Sequence, residues 1–281
     1  MSSHATSSGV GGTVGRAPVD ALIQHLQRLG DPPGAVCRAA GIDPVALDDP
    51  DARFPHRCYE RLWQRAIERS GDPALGLTLG ADPQSSEIGI VSHVVLNCET
   101  MREGLEAYAR LYRVIDDTVS ASFTEDGRHG RLSLVHGGDH YCVPDMERTF
   151  LLALHRARAW LDRPLVPTSV HFQHRAPPYA ARYRRAFGCP VHFDAIDCRI
   201  VFRREYLDLR ARRADPCLRR AALSYAEQLL RDARASVAGR VRSLLHRELP
   251  QLEPTLESIA RRLDMSRQTL YRRLKDEGVT F

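Results

Sequence analysis

The 281-residue chain has almost no lysine: of its 40 basic residues only Lys275 is one, and the rest are arginine. A Gly-x-x-x-x-Gly-Lys phosphate loop is absent, as are the Gly-x-Ser-x-Gly nucleophile elbow and the His-Glu-x-x-His zinc helix. The enzyme classes that depend on those motifs are excluded, and no catalytic residue is assigned. No apolar run approaches the roughly 18 residues of a membrane-spanning helix. The first 16 residues, rich in Ser and Gly, lack the apolar stretch and basic start of a secretory signal, so the cytoplasm is the expected location and no membrane is an expected partner. Cys-x-x-Cys pairs are also missing. The odd set Cys37, Cys58, Cys98, Cys142, Cys189, Cys198 and Cys217 suits reduced structural thiols better than a disulfide framework. A redox sensor is the competing reading, and it requires an exposed thiol of lowered pKa.

What is present is ordinary globular composition, 43% hydrophobic and 27% charged, with a formal net charge of +5. The arginine excess suits phosphate contact but is permissive, not diagnostic. Residues 1–16 read as a flexible tail, since the glycines between Gly9 and Gly15 follow no strand and make a poor nucleotide loop. Helices are expected at 19–29, 34–40, 56–70, 74–79, 88–96 and 101–113, the last with Leu105, Tyr108, Ala109 and Tyr112 on one face. Period-two patterning at 118–124 and 131–136 around a polar turn at 125–130 predicts a hairpin. A helix at 145–161 directs Phe150, Leu151, Leu154, Ala157, Trp160 and Leu161 inward. Strands at 169–173 and 199–202 bracket a helix at 178–187, and a further helix runs over 218–233. Segregated helices and short strands indicate an α+β domain with a small, mostly antiparallel sheet. The segment 30–41 mimics the start of a helix-turn-helix, but Pro44 and the lack of a basic face favour internal packing. The arginine-rich stretch 203–220 reads as a solvated connector in preference to a phosphate-binding surface.

The C-terminal stretch carries the sharpest signal. Leu256, Ile259, Ala260 and Leu263 fall at i, i+3, i+4 and i+7, with Thr255 placed to cap them. Asp264 and Met265 form a turn, and Ser266 caps a second helix that buries Leu270 and Leu274. Its opposite face presents Gln268, Tyr271, Arg272 and Lys275, and residues 266–275 hold four cations and no acid. Many surface helices have a polar stripe that touches only water, but this charge bias favours a helix that enters a DNA major groove.

The run from Leu256 through Leu263, Met265, Tyr271 and Leu274 to Gly278 resembles the first helix-turn-helix of the AraC/XylS family of bacterial transcription regulators. Upstream, Val237, Val241, Leu244, Leu245 and Leu249, ended by Pro250, are similar to that family's first DNA-domain helix. The runs Gly71-Asp-Pro-Ala-Leu-Gly-Leu-Thr-Leu-Gly80, Phe187-Gly-Cys-Pro-Val-His-Phe-Asp194 and Asp215-Pro-Cys-Leu-Arg-Arg220 resemble the effector domain of one subgroup, which is not the sugar-sensing jelly roll. The implied architecture is a tail at 1–16, an α+β effector-binding and dimerisation domain at 17–207, a helical linker at 208–236, and a partial, all-α helix-turn-helix DNA-binding module at 237–281. The family carries two such units and this sequence shows one, so weak DNA binding is expected, with a truncated sensor or dimerisation fragment as the alternative.

The resemblance further implies a homodimer whose partners are double-stranded promoter DNA, a small-molecule effector of unstated identity and RNA polymerase. It implies no cofactor. Carried onto matching positions, Gln268, Tyr271 and Arg272 approach base edges, while Arg267 and Lys275 hold phosphate. Tyr59, Trp63, Tyr108, Tyr112 and Phe150 are aromatic candidates for an effector pocket, with ordinary core the better expectation for each. The cluster from His136 to Cys142 has metal-type residues, although a Gly-rich loop is the plainer account. His171, His174 and His192 are read as half-buried structural histidines. The rival of another class, an enzyme or small-molecule-binding protein, requires a convergent acid–base pair or nucleophile in the first domain, and none is visible.

Overall fold

The computed structural model describes residues 12–82, 89–136, 141–235, 238–241, 244, 255–263 and 265–276. The described residues open with a short strand β1 (Thr13–Gly15) that leads directly into α1 (Arg16–Arg28). Helix α2 (Pro33–Ala40) ends at Gly41, whose φ of 78° is the left-handed conformation that glycine adopts without a Cβ penalty. Strand β2 (Arg53–Pro55) pairs antiparallel with β1 and opens α3 (His56–Ser70). Apolar side chains of α1, α2 and α3, among them Leu22, Leu26, Val36, Tyr59, Leu62 and Trp63, form one buried cluster. The segment resembling a helix-turn-helix start at 30–41 is thus consumed by internal packing, as its prolines and missing basic face lead one to expect.

The expected tail does not extend to residue 16. Thr13 donates from its amide and its hydroxyl to the Asp117 carboxylate at 2.8 and 2.6 Å, and Arg53 donates to the Thr13 hydroxyl and to the Val114 carbonyl at 2.8 and 2.7 Å. These bonds tie β1 to residues 40 and 104 positions away, a cause that local composition cannot reveal. Residues 1–11, including the first part of the glycine run, lie outside the described residues.

Helix α4 (Leu75–Ala81) packs closely on α7 (Val143–Leu161). A Cβ at Gly76 would overlap the Pro144 carbonyl, and one at Gly80 would stand 2.9 Å from the Leu151 Cβ. Gly76 and Gly80 of the 71–80 run are therefore the contact surface itself. Helices α5 (Ile90–Leu96) and α6 (Met101–Ile115) follow. Thr100 caps α6 by accepting from the Glu103 amide at 3.3 Å.

Five strands form the main sheet in the order β3-β4-β7-β5-β6. Strands β3 (Val119–Glu125) and β4 (His129–His136) make the expected hairpin, with register Val119 opposite His136 and Glu125 opposite Gly130. Its turn is shorter than the polar stretch suggested, because the Asp126 carboxylate accepts from the amides of Arg128 and His129 at 2.7 and 2.8 Å and closes it tightly. Strand β7 (Cys198–Arg203) lies between β4 and β5 (Ser169–His171), antiparallel to both. The last strand, β6 (Val191–His192), follows α8 (Ala181–Phe187) and runs parallel to β5; two residues are too few to show a period in sequence. Leu132, Leu134, Ile200 and Phe202 from the sheet share a buried cluster with Met146, Phe150, Leu151 and Leu154 of α7 and with Phe172, Tyr183 and Phe187. The mixed α/β architecture is as the patterning predicted.

Helix α9 (Pro216–Ala235), expected as a linker, buries Ala222, Ala226 and Leu230 among Val91, Val94, Ala107 and Leu111 of α5 and α6. Before it, Arg203 and Arg212 face Glu205 and Asp162 at 3.4 and 2.5 Å, and in its first turn Arg219 faces Glu103 at 3.2 Å. Residues 238–241 and 244 are helical, and α10 (Leu256–Arg262) and α11 (Arg267–Asp276) complete the described chain. Among the described residues, no helix is long and apolar enough to cross a membrane.

Candidate functional sites: a basic helix face and an apolar cavity

Helix α10 starts with a reciprocal cap. The Thr255 hydroxyl accepts from the Ser258 amide at 3.2 Å, while the Thr255 amide donates to the Ser258 hydroxyl at 3.1 Å. At α11 the Ser266 hydroxyl accepts from the Thr269 amide at 3.1 Å, as its position before the helix predicted. Ile259, Ala260, Leu263, Leu270 and Leu274 are buried together with Ala238 and Val241, and Leu244, Leu256 and Met265 pack on them. The angle between α10 and α11 is thereby set by a small core of its own. Val237, Leu245, Leu249, Pro250, Asp264 and Gly278 lie outside the described residues.

Opposite that core, Gln268, Tyr271, Arg272 and Lys275 are all exposed, as are Arg267 and Arg273. Tyr271, at 54% exposure, is among the few large aromatic surfaces left in water. Arg267 has an acid partner, Glu257 of α10, at 2.9 Å; both side chains are mostly exposed, so the pair is worth little in stability. The sequence places the two residues ten positions apart and offers no sign of this contact.

A second feature lies in the N-terminal body. A cavity of about 790 Å³ opens between α5, α6, α7, the sheet and α9. Of the five aromatic candidates, Tyr108 lines it. Tyr59, Trp63, Tyr112 and Phe150 are fully buried elsewhere, so the expectation of ordinary core holds for those four. The cavity wall also holds Arg148, Arg156 and Trp160 of α7, which the sequence reading did not single out for a ligand. One signal was legible: Arg148 precedes Leu151 by three positions and so interrupts the apolar stripe of a core helix.

Arg148 is 6% exposed. Its Nε has no hydrogen-bond partner, and its Nη1 stands 3.8 Å from Asp145 Oδ1. Asp145, which accepts from the Tyr59 hydroxyl, has its pKa raised by burial. Arg156 donates to the Ser92 hydroxyl at 2.9 Å, and burial together with the nearby Arg148 charge lowers its pKa. The Trp160 indole nitrogen is buried without a partner.

The remaining polar clusters look structural. His174 accepts from or donates to Tyr141 and Tyr183 at 2.7 and 2.9 Å, and burial lowers its pKa to about 4. Glu147 accepts from Tyr179 at 3.0 Å and from Tyr183, and burial raises its carboxyl to about 7. His171 and His192 stack at 4.6 Å on neighbouring strands. Residues 137–140 of the His136–Cys142 cluster lie outside the described residues; among the described residues no three His, Cys, Asp or Glu side chains converge to hold a metal. All seven thiols are free, and burial pushes those of Cys37, Cys98, Cys142, Cys189 and Cys198 up, away from the reactive thiolate.

Comparison with known proteins adds a family. A family model described as the arabinose-binding domain of AraC transcription regulator, N-term, matches residues 30–211. The chain is 28% identical to an ornithine utilization regulator of Pseudomonas aeruginosa, with 94% of this chain and 79% of that protein covered. It is also 28% identical to the HTH-type transcriptional regulator VirS of Mycobacterium tuberculosis, with 90% and 76% covered. Among solved structures, the transcriptional regulator CdpR from Pseudomonas aeruginosa superposes with a TM-score of 0.51 at 18% identity, covering 92% of this chain and 80% of that one, a likeness of fold alone.

Proposed function

Because the chain belongs to the AraC family of transcription regulators, we propose that α11 reads promoter DNA and that a small molecule bound in the N-terminal cavity alters how it does so. The observation that carries the DNA half is the exposed row Gln268, Tyr271, Arg272 and Lys275 on the face opposite buried Leu270 and Leu274. A helix so arranged enters the major groove with its polar face toward the bases. Gln268 pairs with adenine and Arg272 with guanine, each through two hydrogen bonds, while Tyr271 contacts a base edge. Lys275 and Arg267 hold phosphate, and Arg267 must share its guanidinium between DNA and Glu257.

The effector half is supported by where the cavity ends. Tyr225, Leu229 and Ala233 of α9 line one side of it, and so does Ala238, whose side chain is also part of the core beneath α10 and α11. A ligand there touches both the sensing body and the start of the reader. It shifts the equilibrium between arrangements only by the difference in its affinity for them. The chain acts as a homodimer, so that two readers meet two half-sites.

Fluorescence anisotropy with DNA from upstream of this gene, titrated with salt, tests the reading. Arg272→Ala is expected to cost about 1–3 kcal/mol and to relax preference at one base position. Lys275→Ala is expected to weaken all sequences alike and to flatten the salt dependence. Loss of affinity in both variants with sequence preference unchanged would remove α11 as the reader.

A further inference from the structure

The chemistry of the cavity wall is lopsided. Most of it is apolar, with Leu105, Leu152, Ile200, Phe202 and Trp160 among its lining. Its cations are not equally provided for. Arg16 lies 2.7 Å from Asp20, and Arg53 combines Asp117 at 3.6 Å with hydrogen bonds to Thr13 and the Val114 carbonyl. Arg148 has no hydrogen bond at Nε and meets its nearest acid among the described residues only at 3.8 Å, beyond hydrogen-bond distance. That acid, Asp145, is a weak counter-ion, because burial favours its neutral form and Tyr59 already occupies it. A guanidinium so deeply buried, with Nε unpaired and no acid within hydrogen-bond distance among the described residues, is costly unless something else completes it.

Resting on the reading of this body as an effector domain, we propose that the cavity takes a small organic carboxylate with an apolar or aromatic body, the carboxylate held by the fork of Arg148. Arg156 stands two helical turns along the same helix and adds positive charge to the wall. Cationic ligands are disfavoured by both arginines. The body of the ligand lies against Leu105, Phe202 and Trp160, and the space of about 790 Å³ falls within the range of sites for small organic ligands. At the far wall it meets Leu229 of α9, the helix that leads toward the reader.

Calorimetric titration of the full chain tests this with matched probes: octanoate, octanamide and octylamine, and 3-phenylpropionate with its amide. At least one acid is expected to bind below millimolar concentration and at least tenfold tighter than its amide, with octylamine inert. Arg148→Met is expected to weaken that acid roughly 10- to 100-fold, the worth of hydrogen bonds to a charged group. The unliganded variant is expected to melt no lower than the parent, since replacing an uncompensated buried charge by an apolar side chain of similar length is neutral or stabilising. Amides binding as well as acids, no acid binding below millimolar, or unchanged binding in Arg148→Met each overturn the proposal. If that variant does not fold, Arg148→Lys, which keeps charge without the fork, replaces it and must weaken the acid. DNA selectivity is measured separately: intact selectivity with no acid bound rejects the ligand class and leaves the DNA-reading function standing.

Discussion

Raising the pH from 6.5 to 9 is expected to destabilise this protein through one buried imidazole. His56 opens α3 and is 2% exposed. Its Nε2 lies 3.3 Å from Asp116 Oδ2 and its Nδ1 lies 3.0 Å from Glu60 Oε1. Burial opposes its charge, but the hydrogen bonds and charges of Asp116 and Glu60 outweigh it and raise the pKa from 6.5 to about 9. Asp116 in turn is held below its usual value by His56 and by the amide and hydroxyl of Thr118, at 2.8 and 2.6 Å. Because the folded pKa lies above the unfolded one, the contribution of His56 is complete below about pH 6.5 and is lost as pH rises through about 9. A difference of about 2.5 units at 1.36 kcal/mol each amounts to about 3 kcal/mol, which for a chain of this size lowers the melting temperature by roughly 5–10 °C. Thermal melts followed by circular dichroism at pH 6.5, 7.5, 8.3 and 9 measure it. Asp116→Asn is expected to start lower, since a buried charge loses its partner, and to show a much smaller slope. A wild-type melting temperature that is flat over this range, or an unchanged slope in Asp116→Asn, would refute the assignment.

Two further substitutions examine the packing. Gly76→Ala forces a Cβ into the Pro144 carbonyl and against Glu147, so it is expected to cost about 1–3 kcal/mol or more in denaturant unfolding; a neutral result would mean that α4 and α7 are not in this close contact. Leu274→Ala opens the core that sets α10 against α11, and a loss of about 2–5 kcal/mol is expected in that module, together with DNA affinity; unchanged helicity and DNA binding would show that α11 is positioned by something else.

What was legible in the sequence was what neighbours along the chain decide. The apolar stripes of α10 and α11, the caps at Thr255 and Ser266, and the exposed row from Gln268 to Lys275 all follow from a 3.6-residue period and short-range hydrogen bonds. The β3-β4 hairpin is equally local, apart from the Asp126 turn that lengthens it. Strand β1 escaped because three residues carry no period and its partners are Arg53 and Asp117. The linker-like α9 escaped in part because only the docking of α5 and α6 decides which of its faces is covered.

The mixture of helices with a small, mostly antiparallel sheet, the helix boundaries to within a few residues and the basic face of α11 were thus determined by the sequence alone, since each is a sum of local preferences. The cavity was decided by tertiary structure. Arg148, Trp160, Tyr108 and Leu229 come from three helices, and their convergence around one space depends on how α6, α7 and α9 pack. Arg148 and Asp145 are three residues apart on α7, but the packing that buries both and turns the Asp145 carboxylate to the Tyr59 hydroxyl of α3 comes from tertiary structure, which no local pattern encodes.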